Sequence, residues 1–189
     1  MTLPSPSSGL RAEFMAAIPN LRAFAMSLCG NATRADDLVQ ETLVKAWAKL
    51  ATFNEGTNLK AWLFTILRNI FFSEFRRRRR EVEDADGVLS ARLSVHPEQL
   101  GHMDFVDFRK ALLTLPNDQR EALLLVGAEG FSYEEAAAIS GCPVGTIKSR
   151  VNRARKGLSQ ILGVDGAADY GPDGTSVSVM GQSTQARSL

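Results

Sequence analysis

Cysteine and histidine are scarce, two of each in 189 residues. Cys29 and Cys142 stand far apart, so no disulfide framework can be drawn from them. With His96 and His102 they supply no spacing for a four-ligand metal site. Net charge is also nearly absent: 22 Lys and Arg against 21 Asp and Glu leave +1, so no global excess points to nucleic acid. No apolar run approaches the 18 residues of a membrane span, and MTLPSPSSGL has no basic start followed by an apolar stretch. A reducing, cytoplasmic setting with no membrane partner is the expectation. No GxxxxGK[ST] loop surrounds Gly141 or Gly145, and the acids Asp36-Asp37, Glu134-Glu135 and Glu81 to Asp86 are adjacent or clustered rather than paired across a pocket. The chain is expected not to be an enzyme, with no catalytic residue, metal, cofactor or small-molecule substrate.

What is present is helical periodicity and segregated charge. With 44% hydrophobic residues, the chain has enough apolar material for one ordinary domain or two small ones. Phe14, Ile18, Leu21, Ala25 and Leu28 recur at helical spacing and stop at Gly30-Asn31. A second helix over 35–50 puts Leu38, Thr42 or Leu43, Ala46 and Leu50 on one stripe, with Val39 and Trp47 beside it. A third, 59–80, turns Trp62, Leu63, Ile66, Leu67, Ile70, Phe71 and Phe75 inward and ends in five consecutive arginines, Arg76 to Arg80. Residues 81–104 then hold one basic against six acidic side chains, with Gly87, Ser90, Ser94 and Pro97 interrupting the pattern. The expected architecture is all-α: two small helical domains, 10–80 and 105–162, joined by a flexible acidic linker, 81–104. The tail 163–189, rich in Gly, Ser, Asp and Thr, is expected to be disordered.

The second domain reads as four shorter helices. Phe105 to Leu113 ends before Leu115-Pro116, and Asn117 or Asp118 can cap a helix over 120–126. Ser132 with Glu135 three residues on is a capping box, opening Tyr133 to Ile139. After the turn Ser140-Gly141-Cys142, a last helix from about Thr146 buries Ile147, Val151, Ala154 and Leu158. This pair is a helix-turn-helix, whose second member enters a DNA major groove. Its outer face carries Thr146, Lys148, Ser149, Arg150, Asn152 and Arg153, donors suited to base edges and phosphates, with Arg155 and Lys156 placed for backbone.

Two other surfaces carry weaker signals. Arg68 and Arg76, Arg77, Arg78, Arg79 and Arg80, interleaved with Phe53, Trp62, Phe64, Phe71, Phe72 and Phe75, can hold a nucleic-acid backbone and stack unpaired bases, although most of these rings must be core. Asp36, Asp37, Gln40 and Glu41 open a helix, where negative charge already suits the dipole.

The segments DDLVQETLVKAWAKL (36–50), NLKAWLFTILRNIFFSEFRRRRR (58–80) and LLTLPNDQREALLLVGAEGFSYEEAAAISGCPVGTIKSRVNRARKGL (112–158) closely resemble bacterial extracytoplasmic-function sigma factors of the sigma-70 family. They look most like the general stress response branch of alphaproteobacteria, the EcfG type. The resemblance implies a promoter-specificity subunit that binds core RNA polymerase and promoter DNA. It places Asp36, Asp37, Leu38, Gln40 and Glu41 on the polymerase clamp. Phe53, Asn58, Lys60, Trp62, Arg68 and Arg76 to Arg80 would lie at the minus-10 element, where a flipped base is captured. Thr146, Lys148, Ser149, Arg150, Asn152, Arg153 and Arg155 would lie at the minus-35 element. It further implies control by an anti-sigma factor of the NepR type, itself removed by a PhyR-type regulator. A sigma mimic or adaptor that binds the anti-sigma factor, and a conventional helix-turn-helix regulator, are the alternatives.

Overall fold

The computed structural model describes residues 8–54, 56–83 and 105–163. The expected linker beyond residue 83 and the expected tail lie outside the described residues. Among the described residues the chain is helical throughout. The helices are α1 (Ser8–Cys29), α2 (Ala32–Ala48), α3 (Leu59–Glu83), α4 (Phe105–Thr114), α5 (Asn117–Leu123), α6 (Tyr133–Ser140) and α7 (Val144–Leu162).

The first three helices pack on the stripes that the periodicity marks. Leu21, Phe24, Ala25 and Leu28 of α1 meet Leu38 and Ala46 of α2 and Leu63, Phe64 and Leu67 of α3, all buried. Fully burying each large side chain removes apolar surface worth about 1.5–3 kcal/mol. Thr42, not Leu43, completes the α2 stripe: it is fully buried and its hydroxyl donates to the Leu38 carbonyl at 2.6 Å. Asn31 caps α2, accepting the Arg34 amide. α1 runs through Pro19, giving up one ladder bond in its interior. Three expectations need correction. Phe75 is 45% exposed rather than inward, and Trp47 stands at the rim, 38% exposed, edge-on to Phe14. The third helix continues to Glu83, past the boundary set by the change of charge, because charge sign does not end a helix and Arg80 near its C-terminus suits the dipole.

In the second domain the capping box forms as the spacing requires. Ser132 Oγ accepts the Glu135 amide, and Glu135 Oε2 accepts the Ser132 amide. α6 ends at Gly141 in the left-handed conformation, φ +63°, where a side chain would be strained. α7 buries Ile147, Val151, Ala154 and Leu158, and Gly157 lets it sit on Leu115, whose Cδ2 would lie 3.0 Å from an added Cβ. Two boundaries differ from expectation. α5 opens at Asn117 directly after Pro116, with no side-chain cap, and then widens into a π-turn over Leu124–Ala128. Pro143 sits just before α7 rather than within its first turn.

The two domains pack against each other, chiefly α3 on α6 and α1 on α4 and α5. Phe64 of α3 meets Phe131, which precedes α6, edge to face at 5.2 Å. Gly30, at φ +71°, gives Leu113 room where a Cβ would come within 2.8 Å of its Cδ1.

Candidate nucleic-acid interface

The outer face of α7 is set by its inner one. Because the buried stripe is wholly apolar, Lys148, Asn152 and Arg153 are carried outward and exposed, and Thr146 and Ser149 lie half-buried at the margin. Lys148 Nζ rests 5.6 Å from the Tyr133 ring of α6. Arg153 lies back along its own helix, Nη2 donating to Ser149 Oγ at 3.2 Å. Arg155 is half-buried. Arg150 differs from the expectation of a free outer cation: it is 22% exposed, pairs with Asp118 at 3.1 Å and points a second nitrogen at Cys142 Sγ. At i+3 from the buried Ile147 it flanks the apolar stripe, where α5 supplies the acid.

On α2, Asp36 is clasped by Arg22, which donates from Nε at 2.6 Å and from Nη2 at 3.1 Å. Glu41 pairs with Lys45, while Asp37 and Gln40 are exposed. Leu38 does not join this surface: it is 1% exposed, on the core side of α2. The acidic face and the arginine cluster, read from sequence as separate, meet here. Asp37 and Arg78 line one open groove, with the Arg34–Glu74 pair, 2.5 Å apart, between them.

The α3 surface is built from its first turn. Asn58 caps the helix, its Oδ1 accepting the Ala61 amide at 3.1 Å. Phe53 stacks on the half-buried Trp62, centroids 5.1 Å apart. Lys60, Phe64 and Arg68 follow at intervals of four and share one face. That face is covered by the second domain rather than open. Lys60 Nζ lies 3.0 Å from Glu129 Oε2, donates to the Glu129 carbonyl at 2.9 Å, and sits 4.9 Å from the Phe131 ring. Asn58 Nδ2 donates to Glu135 Oε1 at 3.0 Å. Arg68 Nε lies 2.7 Å from Glu121 Oε1 and stacks over Phe72. Further along α3, Arg76, Arg77, Arg78 and Arg80 are exposed, and the side chain of Arg79 lies outside the described residues.

Burial raises the Glu121 carboxyl above its ordinary range, against the pull of Arg68 and Arg150. Glu135 is held low by the Ser132 amide and by Asn58. Burial lowers the guanidinium of Arg120, which donates to the Leu113 carbonyl and to Asn117. Sequence reasoning missed the partners on the second domain, Glu121, Glu129, Phe131 and Glu135, and Asn20 of α1, which donates to Glu129. The four-residue spacing of Lys60, Phe64 and Arg68 was the one available signal that a mixed aromatic and cationic face awaited a cover.

A helix-turn-helix with an outward basic face, joined to a three-helix unit that carries a basic helix and an acidic helix, defines a nucleic-acid-binding protein with a second docking surface. The comparisons make this specific. Residues 14–81 match the family model of sigma-70 region 2, and residues 105–158 that of sigma-70 region 4. The chain is 63% identical over 175 residues to the ECF RNA polymerase sigma factor EcfG of Rhodopseudomonas palustris, covering 93% of this chain and 97% of that protein. It superposes, with a TM-score of 0.72 and 57% identity, on the sigma factor RpoE of Bartonella quintana in its complex with the anti-sigma factor NepR, covering 84% of this chain and 99% of that one. The PhyRSL–NepR complex of Sphingomonas sp. Fr1 shares the fold alone, at 20% identity and a TM-score of 0.59, with 80% of this chain and 87% of that one covered.

This chain belongs to the ECF sigma factors of the sigma-70 family. It is a promoter-specificity subunit of RNA polymerase, and sigma factors supply specificity to initiation. No described helix is long and apolar enough to cross a membrane.

Proposed function

We propose that this sigma factor directs core RNA polymerase to general stress response promoters, reading two elements with two different helices, and is restrained by an anti-sigma factor of the NepR type. The observation that carries the proposal is the likeness, at 57% identity over 84% of the chain, to a sigma factor captured with NepR. In this reading residues 10–80 form the polymerase and minus-10 domain, 81–104 the linker and 105–162 the minus-35 domain. On α7, Lys148, Asn152 and Arg153 contact bases or phosphates of the minus-35 duplex, flanked by Thr146, Ser149 and Arg155. Arg150 orients α7 through Asp118 and reaches DNA only by leaving that pair. Asp36, Asp37, Gln40 and Glu41 face the polymerase clamp, with Leu38 holding their helix from within.

Phe53, Asn58, Lys60, Trp62 and Arg68 engage the minus-10 strand, and Arg76 to Arg80 hold phosphates beside the melted region. Extruding a base costs a few kcal/mol, which stacking and polar contacts in such a pocket offset. The protein works in the cytoplasm, where polymerase does, and contributes no catalysis of its own.

In vitro transcription with purified core polymerase on a pooled promoter library tests this. Initiation that needs the polymerase, shares a bipartite promoter and is silenced by an equimolar NepR-type protein is the expected result. Sequence-specific duplex binding by the chain alone, without initiation, would overturn it in favour of a conventional regulator. Capture of the anti-sigma factor with neither activity would favour a sigma mimic.

A further inference from the structure

The cover on α3 is matched to its chemistry group by group. Lys60 receives from one short segment, 129–131, a carboxylate at 3.0 Å, a carbonyl at 2.9 Å and an aromatic ring at 4.9 Å. A single strand offers a cation the same set, with phosphate as the anion, base carbonyls as acceptors and base rings for stacking. Asn58 gives its amide to the Glu135 carboxylate and Arg68 its guanidinium to Glu121. Glu129 is spent on this contact. Its side chain is 6% exposed, and its carboxylate partners, Lys60 and Asn20, both belong to the first domain. A carboxylate buried among partners of another domain loses them when the domains part.

We propose that in the free protein the second domain closes over α3 as a stand-in for the minus-10 strand, with Glu129 and Glu135 in the place of phosphate and base acceptors and Phe131 in the place of a stacked base. Single-stranded DNA and the second domain therefore compete for one face. This rests on the reading of Asn58, Lys60 and Arg68 as strand contacts. Closure hides that face from stray nucleic acid, and the contacts across it are few enough for polymerase to part the domains when it holds each in its own place. DNA affinity of the free chain is then reduced by the fraction of molecules that are open.

The test uses the full chain carrying Glu129→Lys, which sets a like charge against Lys60. Spin labels at Ser73→Cys and Ala138→Cys, exposed sites on α3 and α6, in a Cys29→Ser, Cys142→Ser background, report the distance between domains. Anisotropy of a fluorescent random-sequence single strand of about 12 nucleotides reports binding. Glu135→Gln, which keeps the α6 cap, is the milder second variant, and Glu134→Lys, exposed on the same helix, controls for added charge.

The expected result for Glu129→Lys is a longer label distance and about tenfold tighter binding, corresponding to roughly one molecule in ten open beforehand. Glu135→Gln shifts both in the same direction by less, and Glu134→Lys shifts neither distance nor affinity by more than about twofold. An unchanged distance in both interface variants would overturn the closure. A longer distance without tighter binding would overturn the competition. Lys60→Gln with Arg68→Gln separates the underlying reading: if these changes leave polymerase-dependent initiation intact, it is the strand contact that fails.

Discussion

α3 and α7 are both basic helices, yet they dispose of their charge in opposite ways. On α7 the buried positions are all apolar, so the cations go to the far side and Lys148, Asn152 and Arg153 face solvent. On α3 Lys60, Phe64 and Arg68 share one stripe, and a stripe that mixes ring and cation has to find anions when it is covered. The second domain supplies them. A duplex reader can thus stay exposed, since its face is useful only against a groove, whereas a single-strand reader presents rings and cations that bind loosely to many partners. Arg150 is the exception on α7, turned inward to Asp118, and it marks where the two patterns meet.

The largest effect should come from breaking the apolar side of α7. Ile147, fully buried, changed to Ala is expected to cost about 2–5 kcal/mol. Calorimetry should show the lost melting temperature together with lost minus-35-dependent initiation. A cost below about 1 kcal/mol would mean that the stripe does not hold the helix.

The next test separates outward from inward cations. Lys148→Ala with Arg153→Ala should reduce promoter-dependent initiation by roughly ten- to a hundredfold, at about 1–3 kcal/mol for a good base contact, without moving the melting temperature. Arg150→Ala should lower the melting temperature as well, because Asp118 loses its partner. Equal behaviour of all three would erase the distinction.

A smaller effect is expected at the turn between them. Ser132→Ala removes the α6 cap, at about 1 kcal/mol, and should also loosen Glu135, whose other oxygen holds Asn58. Urea denaturation gives the first quantity and the spin-label distance the second.

The smallest effect is in pH. Burial raises Glu121 above the ordinary carboxylate value of 4.5, so ionised Glu121 penalises the fold above its folded pKa. That penalty lifts as pH falls through it. Glu135 is held low by the Ser132 amide and Asn58, so its stabilisation is present above the unfolded pKa and fades as pH falls through the folded one. Denaturation from neutral pH down to about pH 3 should therefore show wild type gaining on Glu121→Gln first and losing its advantage over Glu135→Ala afterwards. A stability difference between wild type and Glu121→Gln that stays flat with pH would mean that Glu121 titrates normally.

How much of this was legible in sequence depended on reach. The α7 stripe, the Ser132–Glu135 box and the Gly141 turn were readable because each is settled within a few residues by periodicity or by one side-chain hydrogen bond. Phe75 and Leu38 show the limit even at that range: three- and four-residue spacing leaves a helix's margins undecided, and what packs alongside sends Phe75 outward and Leu38 inward. The π-turn at Leu124–Ala128 had no motif at all.

By itself the sequence determined an all-helical chain, its helix-turn-helix, its local caps and the polarity of α7. These follow from short-range propensity and from the 3.6-residue repeat. Only the tertiary structure decided which cations are occupied. Lys60 finds Glu129 across 69 residues, Asn58 finds Glu135 across 77 and Arg68 finds Glu121 across 53. Such pairs obey no period, because they are made by two folded surfaces meeting, and a surface exists only once each domain has already buried its own core.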